Sequence, residues 1–269
     1  MTEKGRLLAT ATAAAKDAGG LILGWYEKSS YHVRAKPDAS PLTEADLASE
    51  TCIAAALSET GIPVISEETG CAYPVRKDWN LFWLVDPLDG TKDFIEKNGE
   101  FTVNIALVEH GTPIIGIIHA PALGLTFSAK KGSGAFCEKD GVVRRLPCFE
   151  PPGHLTATVS RQHLSAPTRE FLRMNGITET EQRGSALKFG IVASGKATIY
   201  PRFEGSMEWD IAAGQVIITE AGCRIVDLVT GTAPVYNKPS LANNPFIVCA
   251  PHIERKTLNI PGINISREE

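Results

Sequence analysis

Four acidic residues of this 269-residue chain have the type and the setting that a divalent metal site requires. Two of them follow apolar runs typical of strands, a third comes three residues after the second, and the fourth opens a helical run. They are Glu67 (followed by Glu68), Asp86, Asp89 and Asp210. Strand ends and helix starts converge in layered α/β folds. Carboxylates brought together repel one another unless they are protonated or paired with cations, and hard oxygen ligands suit Mg²⁺. The pattern therefore predicts a magnesium site.

The residues after Asp89 have the properties of a phosphate-binding segment. Gly90 lets the backbone approach a ligand closely, and Thr91 begins a short predicted helix over 91–96. The first amides of a helix are unsatisfied donors with a partial positive charge, so they attract anions. The six-residue stretch DPLDGT, which starts at Asp86, thus combines metal ligands with an anion site.

Each acidic residue also has an ordinary structural interpretation. Asp89 could cap the following helix, and Asp210 could favour a helix dipole. Asp46 fits a capping box, and Glu67 with Glu68 could form a solvated loop. The coincidence of all these positions favours a functional site over these structural roles taken together.

Three other catalytic or metal-binding patterns do not fit the spacing. An aspartyl-phosphate phosphatase of the haloacid dehalogenase type uses D-x-D, whereas Asp86 and Asp89 are three apart and Pro87 fixes the backbone between them. DPLDGT does not match the EF-hand loop, and no G-x-S-x-G serine hydrolase motif occurs.

The overall composition excludes several classes of partner. The net charge is −4 and there is no long basic block, which argues against nucleic-acid polymers and anionic membrane surfaces. The six cysteines form no C-x-x-C pair, as expected of reduced thiols in the cytoplasm. The N-terminus has no apolar signal core, and prolines and glycines interrupt the charge-free run 111–129, so we expect two strands there rather than an integral membrane segment.

The periodicity of apolar residues predicts a layered α/β fold with two halves. Long helices are predicted over 3–27 and from Thr43 to Gly61, followed by strands, a short helix and an antiparallel meander. The paired prolines of 148–155 predict a boundary between an α+β half (1–147) and an α/β half (148–269). The predicted strands are 63–66, 81–86, 155–160, 197–200 and 246–249, and the later helices are 166–175, 185–195 and 210–221.

At this point the sequence resembles the lithium-sensitive, magnesium-dependent inositol monophosphatase superfamily. DPLDGTKDF, WDIAAG and the upstream SEE carry the resemblance, which extends over most of the chain through SPLTEADL, NGEFTVNIAL and GSALKFGIVASGKATIYPRF. The continuation GTKDFI…NGEFTVNIAL and the YPRF segment are similar to the bacterial CysQ-type 3′(2′),5′-bisphosphate nucleotidases. The resemblance implies a layered α/β/α/β/α sugar-phosphatase fold.

The resemblance also implies roles for the matching residues. Two or three Mg²⁺ ions would be held by Glu67, Asp86, the Leu88 carbonyl, Asp89 and Asp210, and these ligands other than Asp86 would also contact substrate. The amides of Gly90 and Thr91 would receive the scissile phosphate. The Thr91 hydroxyl, supported by Asp46, would orient and help deprotonate a water activated by the metals.

The expected reaction is removal of the 3′-phosphate of adenosine 3′,5′-bisphosphate (PAP) to give AMP and phosphate. Distal substrate contacts are predicted at Ser160, Arg161, His163, Lys188 and Arg202, where Arg202 has a fork suited to phosphate. Their structural alternatives are a surface lysine, a strand-end arginine and a loop histidine. The competing functions are an inositol- or sugar-phosphate phosphatase and a noncatalytic nucleotide-binding regulatory protein. We expect a monomer or homodimer, and the resemblance adds a peripheral inner-membrane location as an alternative to a purely cytoplasmic one.

Overall fold

The computed structural model describes residues 2–28, 33–35, 41–161 and 164–262. Its helices are α1 (Glu3–Tyr26), α2 (Glu44–Ser58), α3 (Tyr73–Arg76), α4 (Thr91–Ile95), α5 (Ala166–Met174), α6 (Leu187–Ser194) and α7 (Glu208–Glu220), with 3₁₀ turns at Pro121–Leu123 and Arg255–Thr257. Its strands are β1 (Val33–Ala35), β2 (Pro41–Thr43), β3 (Val64–Ser66), β4 (Leu81–Asp89), β5 (Thr102–Glu109), β6 (Thr112–Ala120), β7 (Leu125–Lys130), β8 (Ala135–Lys139), β9 (Val142–Arg145), β10 (Thr156–Ser160), β11 (Glu179–Arg183), β12 (Ile199–Arg202), β13 (Arg224–Asp227) and β14 (Phe246–Cys249).

Two large sheets organise the chain. The first has the order β3-β4-β5-β6-β7-β8-β9 and is antiparallel except for the parallel pair β3–β4, so it contains the predicted meander. The second has the order β11-β10-β12-β14-β13, in which β10, β11 and β12 are mutually parallel. A two-stranded ribbon, β1–β2, precedes α2. Strand β11 was not predicted because its sequence, ETEQR, has no apolar alternation.

Three core clusters fill the spaces between helices and sheets. α1 and α2 pack on one face of the seven-stranded sheet, where β4 contributes Trp83 and Val85. Phe82 and Leu84 of the same strand point to the other face, against α6, α7 and the second sheet. α5 covers the far face of the second sheet. The order of layers is therefore α/β/α/β/α, which confirms the predicted fold class.

Local sequence signals explain the ends of the helices near the site. Thr43 caps α2, and Asp46 completes the capping box through its bond to the Thr43 N–H. α7 begins at Glu208, two residues before the predicted start, because the Asp210 carboxylate accepts the Met207 N–H and so caps the helix from inside its first turn.

The division into halves at 147/148 stays a prediction. The seven-stranded sheet lies before it and the five-stranded sheet after it, while one core cluster includes side chains from both sheets. Within the described residues, none of the helices combines the length and the apolar character that a membrane crossing needs.

Candidate active site

Strand β4 ends in a bulge that carries two of the predicted metal ligands. Asp86 and Asp89 pair with Asn104 and Thr102 of β5, so β4 has one more residue than β5 between the two pairs. Pro87 lies in this bulge, where its missing N–H removes no regular ladder bond. The irregularity leaves both carboxylates lining a cavity of about 480 Å³.

Leu88 lies beside these carboxylates. Leu88 lines the cavity, and its N–H donates to Asp86 Oδ1 at 3.1 Å. Ser49 of α2 fixes the bulge from behind, because its hydroxyl donates to the Pro87 carbonyl at 2.6 Å. The bulge is therefore held from the protein side, as the presentation of a carbonyl ligand requires.

Glu67 and Asp210 reach the same cavity from other elements. β3 runs parallel to β4, and the Glu67 N–H donates to the Val85 carbonyl at 3.1 Å, so Glu67 stands next to Asp86 at the end of the sheet. Asp210 comes from the first turn of α7, where its Oδ2 accepts the Met207 N–H at 2.7 Å. We call Glu67, Asp86, Asp89 and Asp210 the acidic wall.

The acidic wall has the electrostatics of a site that requires positive charge. Burial raises the pKa of the Asp86 carboxyl well above its usual value, and the other three carboxylates and a hydrogen bond with Glu67 add to this rise. Burial and then Asp89 raise the pKa of Asp210 to about 8. Burial also raises the pKa of Asp89, against the opposing effects of Lys188 and an Asn104 hydrogen bond. Bound cations would remove this mutual repulsion.

Gly90 forms the start of the predicted phosphate cradle. It adopts φ 89° and ψ 42°, a left-handed conformation, and α4 begins at the next residue. A Cβ at this position would lie 2.1 Å from Ser185 Oγ. Asp89 does not cap α4: the N-cap is Gly90, and Asp89 Oδ2 instead accepts from Asn104 Nδ2 at 3.2 Å. The interpretation of Asp89 as a helix cap is therefore wrong.

Thr91 and Asp46 are in contact, as expected. Thr91 Oγ1 donates to Asp46 Oδ1 at 3.1 Å, while Asp46 Oδ2 accepts both the N–H and the hydroxyl of Thr43, at 2.7 and 2.5 Å. Asp46 is fully buried. Its capping role is therefore real, and the same carboxylate also orients the Thr91 hydroxyl.

A second group of side chains lines the cavity from the five-stranded sheet. The parallel strands β10, β11 and β12 end at Ser160, Arg183 and Arg202, and the register places Ser160 opposite Arg183. Ligands bind at the carboxyl ends of parallel strands in open α/β sheets. The cations of this group, which we call the cationic wall, are Arg161, Arg183, Lys188 and Arg202.

Lys188 differs from its structural alternative, whereas Arg202 has the strand-end position of its own alternative. Lys188 is buried rather than on a helix surface, its Nζ donates to the Arg183 and Ser185 carbonyls, and burial lowers its pKa to about 8 against the effect of Asp89. Arg202 does end a strand, and its Nη1 donates to Ser160 Oγ at 3.0 Å. Its buried Nε makes no hydrogen bond within the described part of the chain, although Glu204 Oε2 lies 4.0 Å away as an ion-pair partner. This N–H can therefore still donate to an anion.

The remaining predicted residues have different outcomes. Arg161 lines the cavity. Glu68 is half-buried and is not among the lining residues. His163 lies outside the described residues, so its contact with substrate stays a prediction.

Sequence reasoning missed Arg183, Ser185 and Glu100. Arg183, which directly precedes the quoted GSALKFG stretch, and Ser185, which lies within it, both line the cavity, and Ser185 has φ 48°, which its sequence does not indicate. Glu100 lies in NGEFTVNIAL and binds the two arginines Arg161 and Arg183. The only available signal was that both stretches carry the family resemblance.

The donor chemistry of the acidic wall fits a hard divalent cation. The four residues of the acidic wall line a single cavity together with Leu88, and buried carboxyls with raised pKa values favour a bound positive charge. No three Asp, Glu, His or Cys side chains in the described ranges already stand in a complete metal-binding arrangement. Mg²⁺ does not require one, because it commonly binds one or two carboxylates together with waters and substrate phosphate.

The five layers and the acidic cavity between the sheets define a sugar-phosphatase fold. Comparison with known proteins agrees with this class. The model of the inositol monophosphatase family matches residues 3–260. The 3′(2′),5′-bisphosphate nucleotidase CysQ of Escherichia coli K12 is 42% identical over 218 residues, which are 79% of this chain and 87% of the relative.

Two solved structures of related proteins are similar to this chain over most of its length. The crystal structure of CysQ from Bacteroides thetaiotaomicron has a TM-score of 0.82 at 38% identity, covering 92% of this chain and 98% of that one. SuhB from Bartonella henselae has a TM-score of 0.74 at 27% identity, covering 92% and 95%. This chain belongs to the inositol monophosphatase family, which confirms the resemblance seen in its motifs.

Proposed function

We propose that this chain removes the 3′-phosphate of PAP, giving AMP and phosphate, in a Mg²⁺-dependent hydrolysis. The observation that carries the proposal is the presence of an acidic wall and a cationic wall in one cavity of about 480 Å³. A substrate with two phosphates can place one on each wall, whereas inositol 1-phosphate has only one. The nucleotidase activity in the names of the CysQ relatives supports the same substrate.

We propose that two or three Mg²⁺ ions bind at the acidic wall. The ligands are Glu67, Asp86, the Leu88 carbonyl, Asp89 and Asp210. Bound there, the ions would neutralise phosphate charge and lower the pKa of the attacking water.

The residues of the chain supply positioning and proton transfer. The amides of Gly90 and Thr91 bind the scissile phosphate, because a helix start offers free donors. The Thr91 hydroxyl donates a hydrogen bond to Asp46 Oδ1, which leaves a lone pair on Thr91 Oγ1 free to accept a hydrogen bond from the water. If the water's proton moves to Thr91 Oγ1, the hydroxyl's own proton passes to Asp46 Oδ1. Asp46 is fixed by Thr43 and cannot turn away.

The cationic wall binds the second phosphate. Arg202, beside Ser160, offers its Nε, which makes no hydrogen bond among the described residues although Glu204 lies 4.0 Å away. Lys188 adds a buried charge. Hydrogen bonds between guanidinium and phosphate are charge-assisted and therefore strong.

The proposed setting is the cytoplasm, with a small phosphate ester as partner rather than a nucleic-acid polymer. All six cysteines are free thiols, as in proteins of a reducing compartment. We propose a monomer or homodimer.

The decisive experiment measures phosphate release with Mg²⁺ from PAP, 3′-AMP and inositol 1-phosphate. We expect the highest kcat/KM for PAP, and no release when EDTA removes the metal. Faster turnover of inositol 1-phosphate would replace this proposal with a sugar-phosphate phosphatase. The absence of any turnover, with PAP still bound, would indicate a noncatalytic binding protein.

Two variants test the roles of the cationic wall and the acidic wall separately. Arg202→Met should raise the KM for PAP by roughly 10-fold or more, because a charge-assisted hydrogen bond contributes about 1.5–3 kcal/mol, and should change 3′-AMP turnover much less. Arg144→Met, on the exposed strand β9, is the matched control.

Asp89→Asn combined with Asp210→Asn should abolish Mg²⁺ binding in calorimetry as well as turnover. Undiminished Mg²⁺ binding by this folded variant would contradict the assigned ligands.

A further inference from the structure

Glu100, which lies in the NGEFTVNIAL stretch, joins the two sheets at the cavity. Its side chain is only 8% exposed and accepts four hydrogen bonds. Arg161 donates twice, from Nε to Oε2 at 2.8 Å and from Nη2 to Oε1 at 2.7 Å. Arg183 Nη1 donates to Oε1 at 3.2 Å, and the Gly184 N–H donates to Oε2 at 2.7 Å. A residue that precedes β5 thereby holds the ends of β10 and β11.

The main chain of Glu100 makes a second connection to the same segment. Ser185 Oγ lies within hydrogen-bond distance of both the Glu100 carbonyl, at 2.7 Å, and the Asp89 carbonyl, at 2.8 Å. A Cβ on Gly184 would lie 2.6 Å from the Glu100 carbonyl oxygen. The segment 183–186 and the loop before α4 are therefore interlocked without spare space.

This segment contacts both walls of the cavity. Ser185 Oγ donates to the main-chain carbonyl of Asp89, a residue of the acidic wall, at 2.8 Å, and the nearby Ala186 N–H lowers the pKa of the Asp89 carboxyl. The Arg183 and Ser185 carbonyls accept from Lys188 Nζ, at 3.2 and 2.6 Å, in the cationic wall. A displacement of the segment would therefore change the distance between the walls.

The contacts of Glu100 are strong enough to hold the segment 183–186 in place. Burial by itself would raise the pKa of the Glu100 carboxyl, but the Arg161 hydrogen bonds and the Gly184 N–H overcome it, and the pKa lies below its usual value. Glu100 is thus ionised at neutral pH, and its charge is matched inside the protein. Ser185 also holds φ 48°, a conformation that costs a non-glycine residue on the order of 1–3 kcal/mol and persists only when its surroundings enforce it.

We propose that Glu100 is a positioning residue that sets the separation between the acidic and cationic walls, and so determines how well a substrate with two phosphates spans the cavity. This inference rests on the proposed function. A bisphosphate must contact both walls at once, whereas an ester with one phosphate needs only the acidic wall. Loss of Glu100 should therefore reduce the preference for the bisphosphate.

The test compares Glu100→Gln with Glu220→Gln on PAP and 3′-AMP. In Glu100→Gln an amide NH₂ replaces one acceptor oxygen and faces two donors. Glu220 is a matched control, since its carboxylate accepts three backbone N–H groups of the turn 132–134 and does not line the cavity. We expect kcat/KM for PAP to fall by about 10- to 100-fold in Glu100→Gln, as for a displacement of up to ~1 Å. The value for 3′-AMP should fall less than about 3-fold, within the spread of independent sites, and the control should change neither.

If Glu100 had a purely structural role, its substitution would lower kcat/KM for PAP and for 3′-AMP by the same factor. That result would overturn the proposal. So would an unchanged preference in a folded Glu100→Gln protein. Should Glu100→Gln not fold, Glu100→Asp keeps the charge but shortens the side chain by one methylene, so the carboxylate no longer reaches all four of its donors. This variant should shift the preference in the same direction.

The proposed function is judged first, on the wild-type chain. If wild type does not prefer PAP over 3′-AMP, the proposed function fails and the Glu100 proposal fails with it, since no second phosphate has to be placed. If wild type prefers PAP and Glu100→Gln retains that preference, only the positioning proposal fails.

Discussion

The most direct perturbation of the phosphate cradle is Gly90→Ala. Gly90 has φ 89°, and an added Cβ would lie 2.1 Å from Ser185 Oγ. Non-bonded heavy atoms keep about 3.5–4.0 Å at optimal separation, so the loop and Ser185 would have to move apart by ~1 Å or more. Ser185 cannot simply retreat, because its hydroxyl lies against the Asp89 and Glu100 carbonyls. The displacement therefore falls on the cradle.

Two costs follow and can be measured separately. A left-handed backbone costs a non-glycine residue about 1–2 kcal/mol, which lowers Tm by roughly 2–8 °C in a chain of this size. Misplacement of the Gly90 and Thr91 amides by ~1 Å should reduce kcat/KM for PAP by about 10²-fold. Thermal unfolding measures the first cost, and phosphate release with saturating Mg²⁺ measures the second.

Gly231→Ala is the matched control. Gly231 has φ 73°, and no described atom lies within 4 Å of the position of its Cβ. It should show a similar Tm loss with unchanged kcat/KM. Gly90→Ala combined with Ser185→Ala removes the nearest clashing atom and should recover part of the activity. If Gly90→Ala keeps kcat/KM within about 3-fold of wild type, close backbone approach at Gly90 is not required and the reasoning about the cradle is refuted.

Two further predictions concern buried titratable groups outside the phosphate cradle. Burial, followed by Lys16, lowers the pKa of His119 to about 4. Because the unfolded chain binds that proton near pH 6.5 and the folded chain does not, stability is full above pH 6.5. It falls by on the order of 3 kcal/mol as the pH drops toward 4. Urea unfolding at pH 4.5 and 7 should show a smaller pH dependence for His119→Asn than for wild type, and equal dependences would contradict this. Lys238→Met leaves the fully buried Glu208 without the ammonium that lies 2.7 Å away, and should cost about 3 kcal/mol in urea unfolding. Lys256→Met, from an exposed ion pair, should cost less than about 1 kcal/mol, and equal losses would argue against the buried-charge explanation.

The sequence determined much of the local structure. Helix α1, the antiparallel meander and the capping of α2 by Thr43 follow from apolar spacing and capping chemistry that act over a few residues. The acidic residues could be selected from the sequence because several of them coincide with strand ends and helix starts, although each alone also has a structural interpretation. Family membership was also readable from motifs, which comparison with known proteins confirmed.

Contacts between residues that are distant in the sequence could be identified only from the tertiary structure. The packing of α7 brings Asp210 to Asp86, and the pairing of β10 with β11 places Arg183 beside Ser160, although sequence spacing contains no information about either contact. The sequence left Lys188 open between a substrate contact and a surface lysine, because a helix can turn any face inward. Its tertiary neighbours bury it. The sequence indicates no role for Glu100. Its role follows from the fold, which places Arg161 and Arg183, at the ends of β10 and β11 in the second sheet, against its carboxylate. Residue chemistry acts locally and can be read along the chain, whereas the cavity depends on packing between two sheets, which requires the whole fold.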